Sequence, residues 1–211
     1  MGVRVLGLNM VRISSNTRVP EPEVFKSLGL LELCRLIQSF DSRSILDLGG
    51  AWGVNIRFWS TFSPSIYVGD LHSSVPLIQP AGDDTSATRE WGRLMAIPGN
   101  SRFDVILAWD LLNYLDQPQV ISLIQYLLRF CRRGALLFAL IFDKQQMPAV
   151  PTVFKIKDEE NLIYEGRTSD TRPCPRHQPR EVQRMFTGFR IASSFWLRHG
   201  VQEYLFEYQG E

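Results

Sequence analysis

The stretch Leu46-Asp47-Leu48-Gly49-Gly50-Ala51-Trp52-Gly53 decides the reading of this chain. It closes a short apolar run, Ser44 to Leu48, and opens a helix-like one, Val54 to Phe62, so the backbone must pass from strand to helix within a few residues. Glycine tolerates positive φ and allows close backbone approach, which is what so tight a turn requires. Ser65 to Asp70 follows as a second strand. Strand, helix and strand at this spacing make a βαβ unit, and such units build a parallel sheet covered by helices.

Downstream, Phe103 to Trp109 is a compact apolar run that suits a buried parallel strand, with Asp110 just past its end. The next segment carries Val120, Leu123, Ile124, Leu127, Leu128 and Cys131 at helical spacing. Asp116 is placed to cap that helix and Pro118 suits its first turn; Arg129, Arg132 and Arg133 complement its negative end, and Gly134 is the expected left-handed stop. Ala135 to Phe142 reads as the strand that follows. Upstream, residues 1–22 carry no sustained period and are expected to form an arm. Pro22 to Phe40 reads as a helix with a stripe of Leu30, Leu33, Leu36, Ile37 and Phe40.

Gln79 to Glu90 is rich in Gly, Asp, Ser and Thr and reads as a loop, with a weak strand near Leu94. After Pro148 two β-like runs, Thr152–Ile156 and Leu162–Glu165, flank the polar turn Lys157–Asn161 and read as a hairpin over the sheet's edge or mouth. Thr168 to Arg180, with Pro173, Pro175 and Pro179, is an extended linker or lid. A short helix, Pro179 to Met185, precedes two strands, Phe189–Leu197 and Gln202–Tyr208, whose connection at His199–Gly200 is too short for a parallel crossover. The expectation is a doubly wound, Rossmann-like α/β domain over residues 23–211, mostly parallel, with an antiparallel C-terminal strand, helices on both faces and a hairpin and lid inserted around 149–180.

Composition narrows the function classes. At 211 residues the chain suits one domain, and 45% hydrophobic with 21% charged residues is ordinary for a globular protein. A formal charge of +1 supplies no global field for a polyanion, so nucleic-acid binding is not expected; Arg172, Arg176 and Arg180 are the only local basic cluster and lack interleaved aromatics. Cys34, Cys131 and Cys174 are an odd, scattered set that indicates no disulfide framework. Cys174 and His177 have C-x-x-H spacing but no second ligand pair, so no metal is expected. The longest apolar run, Ala135 to Phe142, is too short to span a bilayer as a helix, and the N-terminus lacks a cleavage or lipidation pattern, so a cytoplasmic protein without membrane attachment is expected. Oligomeric state has no signature.

In open α/β sheets ligands bind outside the carboxyl ends of the strands, and Asp47, Asp70 and Asp110 all fall at such ends. With these residues in view the chain resembles the class I S-adenosylmethionine-dependent methyltransferases over roughly residues 23–208. That family pairs an acid at the first strand's end with a G-x-G-x-G turn, here Asp47 and Gly49-x-Ala51-x-Gly53, with the middle glycine replaced. Phe103 through Leu115 is similar to the family's fourth strand and its following loop, and Phe189 to Phe206 to its last two strands. The resemblance implies S-adenosylmethionine as cofactor and S-adenosylhomocysteine as product. Asp47, Gly49, Gly50, Ala51, Gly53 and Asn55 would then surround the methionine end. Asp70 would accept the ribose hydroxyls and Leu71 would flank adenine. Asp110 would be a further cofactor contact. No clear acid precedes Phe103 to hold the adenine amino group; Asp83, Asp84 and Asn100 are weak substitutes.

A sulfonium methyl is already electrophilic, so transfer chiefly needs an aligned nucleophile, and a base only where that nucleophile is protonated. Asp110, Asn113 and Tyr114 on the loop and His177 in the lid are the candidate catalytic residues for a small-molecule acceptor. Two alternatives stay open. A nicotinamide dehydrogenase would place an acid like Asp70 about 20 residues past the glycine turn, but G-x-G-x-x-G would need glycine where Ala51 and Val54 stand. A catalytically inactive cofactor-binding or scaffold domain of the same fold is favoured by Ala51 and by the missing adenine acid.

Overall fold

The computed structural model describes residues 21–40, 43–75, 78, 84–197 and 200–210. Six strands form the central sheet: β2 (Ser44–Asp47), β3 (Ser65–Val68), β4 (Phe103–Trp109), β5 (Cys131–Phe142), β10 (Phe189–Leu197) and β11 (Val201–Tyr208). Their spatial order is β10-β11-β5-β4-β2-β3. β3, β2, β4 and β5 run parallel, whereas β11 pairs antiparallel with both β5 and β10. The connections are α2 (Gly53–Trp59) from β2 to β3, α3 (Leu71–Ser74) and α4 (Asp84–Met95) on the way from β3 to β4, and α5 (Gln117–Leu128) from β4 to β5. The order reverses between β2 and β4, the switch point at whose carboxyl ends open α/β sheets form a ligand crevice.

Alternate residues of the central strands feed two cores, the pattern of a sheet buried on both faces. Leu46, Ile106, Ala108, Leu137 and Phe206 pack with Trp91 of α4, Leu123 of α5 and Val182 of α6 (Pro179–Met185). Ile45, Val105, Leu107, Phe138 and Leu205 pack instead with Leu30 and Leu33 of α1 (Leu28–Ile37) and Trp59 of α2. On this second face lies a three-stranded sheet in the order β1-β8-β7, formed by β1 (Glu23–Lys26), β7 (Val153–Asp158) and β8 (Asn161–Glu165). The expected hairpin is therefore present, with a third strand supplied from before α1.

That third strand corrects the sequence reading. Pro22 to Phe40 is not one helix: Val24 and Phe25 pair with Ile163 and Leu162 of β8, and the helix starts only after Ser27, whose hydroxyl accepts Leu30 N–H at 3.0 Å. Gly29 belongs to the helix's first turn because a Cβ there would stand 2.8 Å from Phe138 Cε2. The expected loop to Glu90 and strand near Leu94 are corrected too. From Asp84 the chain is helical, with Trp91 and Met95 buried one turn apart and the Trp91 indole donating to Ser122 Oγ at 2.7 Å. Gly134 has the left-handed φ of +79° expected of it, but α5 ends at Leu128, so Cys131 of the expected stripe, Arg132 and Arg133 of the expected helix end, and Gly134 all lie within β5. Part of the expected lid is a strand, β9 (Thr171–Pro173), paired with β6 (Gln146–Pro148). Residues 1–20 of the expected arm, and Asp83 and His199, lie outside the described residues.

Candidate functional site

The three acids of the crevice have different surroundings. Asp47 ends β2 and is almost completely buried; its Oδ1 accepts Gly49 N–H at 2.8 Å and the Trp109 indole N–H at 2.7 Å. Burial pushes its carboxyl up to about 6, against these two donors, and the neighbouring Asp70 charge adds to the rise. Asp70 follows β3 with φ 41°, and its Oδ1 is buried without a hydrogen-bond partner among the described residues. Asp110 follows β4 and has no exposed surface. Its Oδ2 accepts Thr152 N–H at 2.9 Å, while Oδ1 faces His72 Nε2 at 3.2 Å.

Backbone strain gathers at the same place. Asp70 and Trp109 (φ 50°) are both non-glycine residues in the left-handed region, and each stands where a strand ends at the crevice. Such conformations cost on the order of 1–3 kcal/mol each and persist where surrounding contacts fix them. At Trp109 those contacts are the bond to Asp47, a stacked Phe154 ring at 5.9 Å and an edge contact to Phe138 at 6.0 Å.

Within the glycine loop the three glycines have separate reasons. A Cβ on Gly49 would stand 2.9 Å from the Trp109 ring, and one on Gly50 3.1 Å from the Trp52 ring. A Cβ on Gly53 would meet nothing within 4 Å, and Ala51 and Trp52 are exposed. Open space therefore lies beside Gly53, whereas Gly49 is closed over by an indole. Leu71 is wholly buried in the core with Trp91 and Leu112.

Several candidate residues are spent on backbone. Asn55, in α2, donates to Phe154 O and accepts from Ile156 N–H, both at 2.8 Å, and so pins β7 against α2. Asn113 donates to Asp110 O and Leu140 O and accepts Phe142 N–H, all at 2.8 Å, tying the 3₁₀ turn Leu111–Tyr114 to β5. The Tyr114 hydroxyl donates to Val150 O at 2.8 Å, and burial drives its pKa upward, which leaves it a poor base. His177 is half-buried against the Leu112 carbonyl; burial lowers its pKa. Of the substitutes for an adenine acid, Asp84 opens α4 and Asn100 is exposed in the turn before β4.

Sequence reasoning missed His72, Trp109's bond and Thr152. His72 is buried, and burial lowers its imidazole to about 4, with the nearby Arg167 charge acting the same way. Burial pushes Asp110 up to about 7. A neutral imidazole and an acid that is protonated through much of the acidic range thus face each other, beside a Thr152 hydroxyl that has no partner among the described residues. Only their nearness to Asp70 and to the hairpin's first residue marked them in the sequence.

The fold is that of the class I S-adenosylmethionine-dependent methyltransferases. Among solved structures, an S-adenosylmethionine-dependent methyltransferase from Clostridium acetobutylicum is similar, at 10% identity and a TM-score of 0.51, over 86% of this chain and 90% of that one. A 1,6-didemethyltoxoflavin-N1-methyltransferase from Burkholderia thailandensis, solved with its substrate and S-adenosylhomocysteine, matches at 13% identity and a TM-score of 0.45 over 87% and 79% of the two chains. No family model matches the sequence, and no curated protein matches it.

Proposed function

We propose that this protein binds S-adenosylmethionine in the crevice between β2 and β4 and transfers its methyl group to a small molecule, releasing S-adenosylhomocysteine. The observation that carries the reading is the buried Asp70 Oδ1 just past β3, which has no hydrogen-bond partner among the described residues. An orphaned carboxylate oxygen lacks the compensation that buried polar groups normally have, and a vicinal diol supplies it. The loop at Asp47, Gly49, Gly50, Ala51 and Gly53 would hold the methionine end, with the open side of Gly53 as the place of closest approach. The cofactor supplies an electrophilic methyl; the chain's own part is to bind, orient and exclude water.

Asp110 with His72 is the group best suited to hold or move a proton, since neither is charged at neutral pH by necessity and, among the described residues, Asp110 Oδ1 and His72 Nε2 have no other partner. Asn55, Leu71, Asn113 and Tyr114 support the site rather than line it, and His177 leans on the turn behind it. Residues 23–211 would form one functional unit. Among the described residues no helix is long and apolar enough to cross a membrane. The three free thiols, Cys34, Cys131 and Cys174, fit the reducing, cytoplasmic setting proposed here.

The second reading is a domain that binds the cofactor without turnover. It is favoured by the closed state of Asp47 and Asp110, whose side chains meet protein on nearly every side. Incubation with methyl-labelled S-adenosylmethionine and a mixed set of small phenols, amines and heterocycles distinguishes the two. Label in an acceptor together with stoichiometric S-adenosylhomocysteine is expected; cofactor binding without label in any acceptor would favour the second.

A further inference from the structure

At the carboxyl end of β5 a cavity of about 360 Å³ opens. Ligand cavities run from about 300 to 1,000 Å³, so this one suits a small ligand. Its walls are rings: Phe25 from β1, Phe142 from β5, Phe154 from β7 and Tyr164 from β8. Phe154 meets Phe25 edge-on at 6.4 Å and Tyr164 edge-on at 5.7 Å, so faces and edges are both presented to a guest. Flat aromatic ligands fit such a set better than branched aliphatic ones, because ring pairs gain from offset or edge-on geometry beyond the area they bury.

The charge at the cavity is one ammonium and one carboxylate. Lys144 Nζ lies 5.8 Å from the Phe142 ring centre and makes no ion pair among the described residues. A second cavity of about 230 Å³ shares Phe142, Lys144 and Tyr164, so the same ammonium faces both spaces. Burial lowers the Lys144 pKa, and the charge of Glu23, exposed at the rim, works against that fall. The cation at the mouth is therefore an exposed ammonium with an aromatic ring beside it.

We propose that this cavity binds a small planar aromatic anion, its ring held among Phe25, Phe142, Phe154 and Tyr164 and its anionic group on Lys144. Binding here stands on the cavity alone; that the ligand is the methyl acceptor rests on the function proposed above. Phe154 links the two places, since its ring stacks on Trp109 and its carbonyl holds Asn55.

Calorimetric titration with 2-naphthoate and with 2-naphthamide tests the proposal, because the two probes share a ring and differ in charge. The carboxylate should bind about tenfold tighter than the amide, the margin of one charge-assisted hydrogen bond. Lys144→Met, which alters only the mouth, should abolish that margin and leave the amide's affinity unchanged. Phe25→Ala should weaken both probes while thermal melting verifies the fold. Equal affinities for the two probes, an unaffected margin in Lys144→Met, or no binding of either to folded protein would overturn the proposal. S-adenosylhomocysteine titrated into the same samples separates the two readings: its binding without naphthoate selectivity counts against this inference alone, and naphthoate selectivity without its binding counts against the cofactor site alone.

Discussion

Two buried carboxylates, Glu203 in β11 and Asp110 after β4, are equally hidden from solvent and are arranged for different ends. Glu203 is saturated: it accepts the Ser27 hydroxyl, which in turn caps α1, and Gly29 N–H at 2.7 Å, so one side chain joins the first helix to the sheet 174 residues away in sequence. Among the described residues Asp110 is satisfied on one oxygen only, and the other faces His72. Both are raised by burial, yet only Asp110 keeps an atom for something else. Saturation marks a carboxylate that holds the fold together, and an atom left over marks one near the chemistry.

The largest expected effect breaks the saturated end. Glu203→Ala leaves two buried donors without an acceptor and should cost about 3 kcal/mol in urea unfolding, whereas Glu203→Gln, which keeps an acceptor, should cost about 1 kcal/mol. A cost as small for alanine as for glutamine would remove the distinction on which the comparison rests. Asn55→Ala comes next. It strips partners from Phe154 O and Ile156 N–H and should cost about 2 kcal/mol, with faster amide exchange at Ile156 before exchange rises in β4.

The unsaturated end is sharpened by pH. Asp110 is raised to about 7 in the folded chain, so the folded state retains a proton that the unfolded chain has already lost above the usual carboxylate range. Its contribution to stability is therefore full in acid and is lost as pH rises toward 7; Asp47, raised to about 6, acts in the same direction. His72, lowered to about 4, opposes both between about 4 and 6.5 because there the unfolded chain binds the extra proton. Asp110→Asn removes the first term, so its stability relative to the parent should improve with pH between about 4 and 7, by at most about 1.4 kcal/mol per unit. A stability difference independent of pH over that window would contradict the assignment. The smallest effect belongs to Gly53→Ala: with nothing near its Cβ, stability should change by less than about 0.5 kcal/mol, while affinity for the cofactor falls.

The contrast also explains what could be read in advance. The βαβ unit, the α5 stripe as far as Leu128 and the closing antiparallel pair are local patterns of apolar spacing, and each stands where the sequence placed it. β1 escaped because four residues before a helix look like its first turn; only the distant pairing with β8 makes them a strand. α4 escaped because turn-forming residues fill its first half and its buried face rests on Trp91 and Met95. At the site, Asp47, Asp70 and Asp110 were legible from strand ends, but the partners that set their roles come from elsewhere in the chain. Trp109 reaches Asp47 across 62 residues and Thr152 reaches Asp110 across 42, and no spacing rule anticipates such meetings.

The central claim is that the orphaned carboxylate of Asp70 holds the cofactor, and the most direct test is calorimetric titration of S-adenosylhomocysteine into the protein and into Asp70→Ala. The account predicts micromolar binding by the parent chain and a loss of at least about tenfold in the variant, the margin of one charge-assisted hydrogen bond, with an unchanged melting temperature. Equal affinity in the two proteins, or no binding by the folded parent, would contradict it.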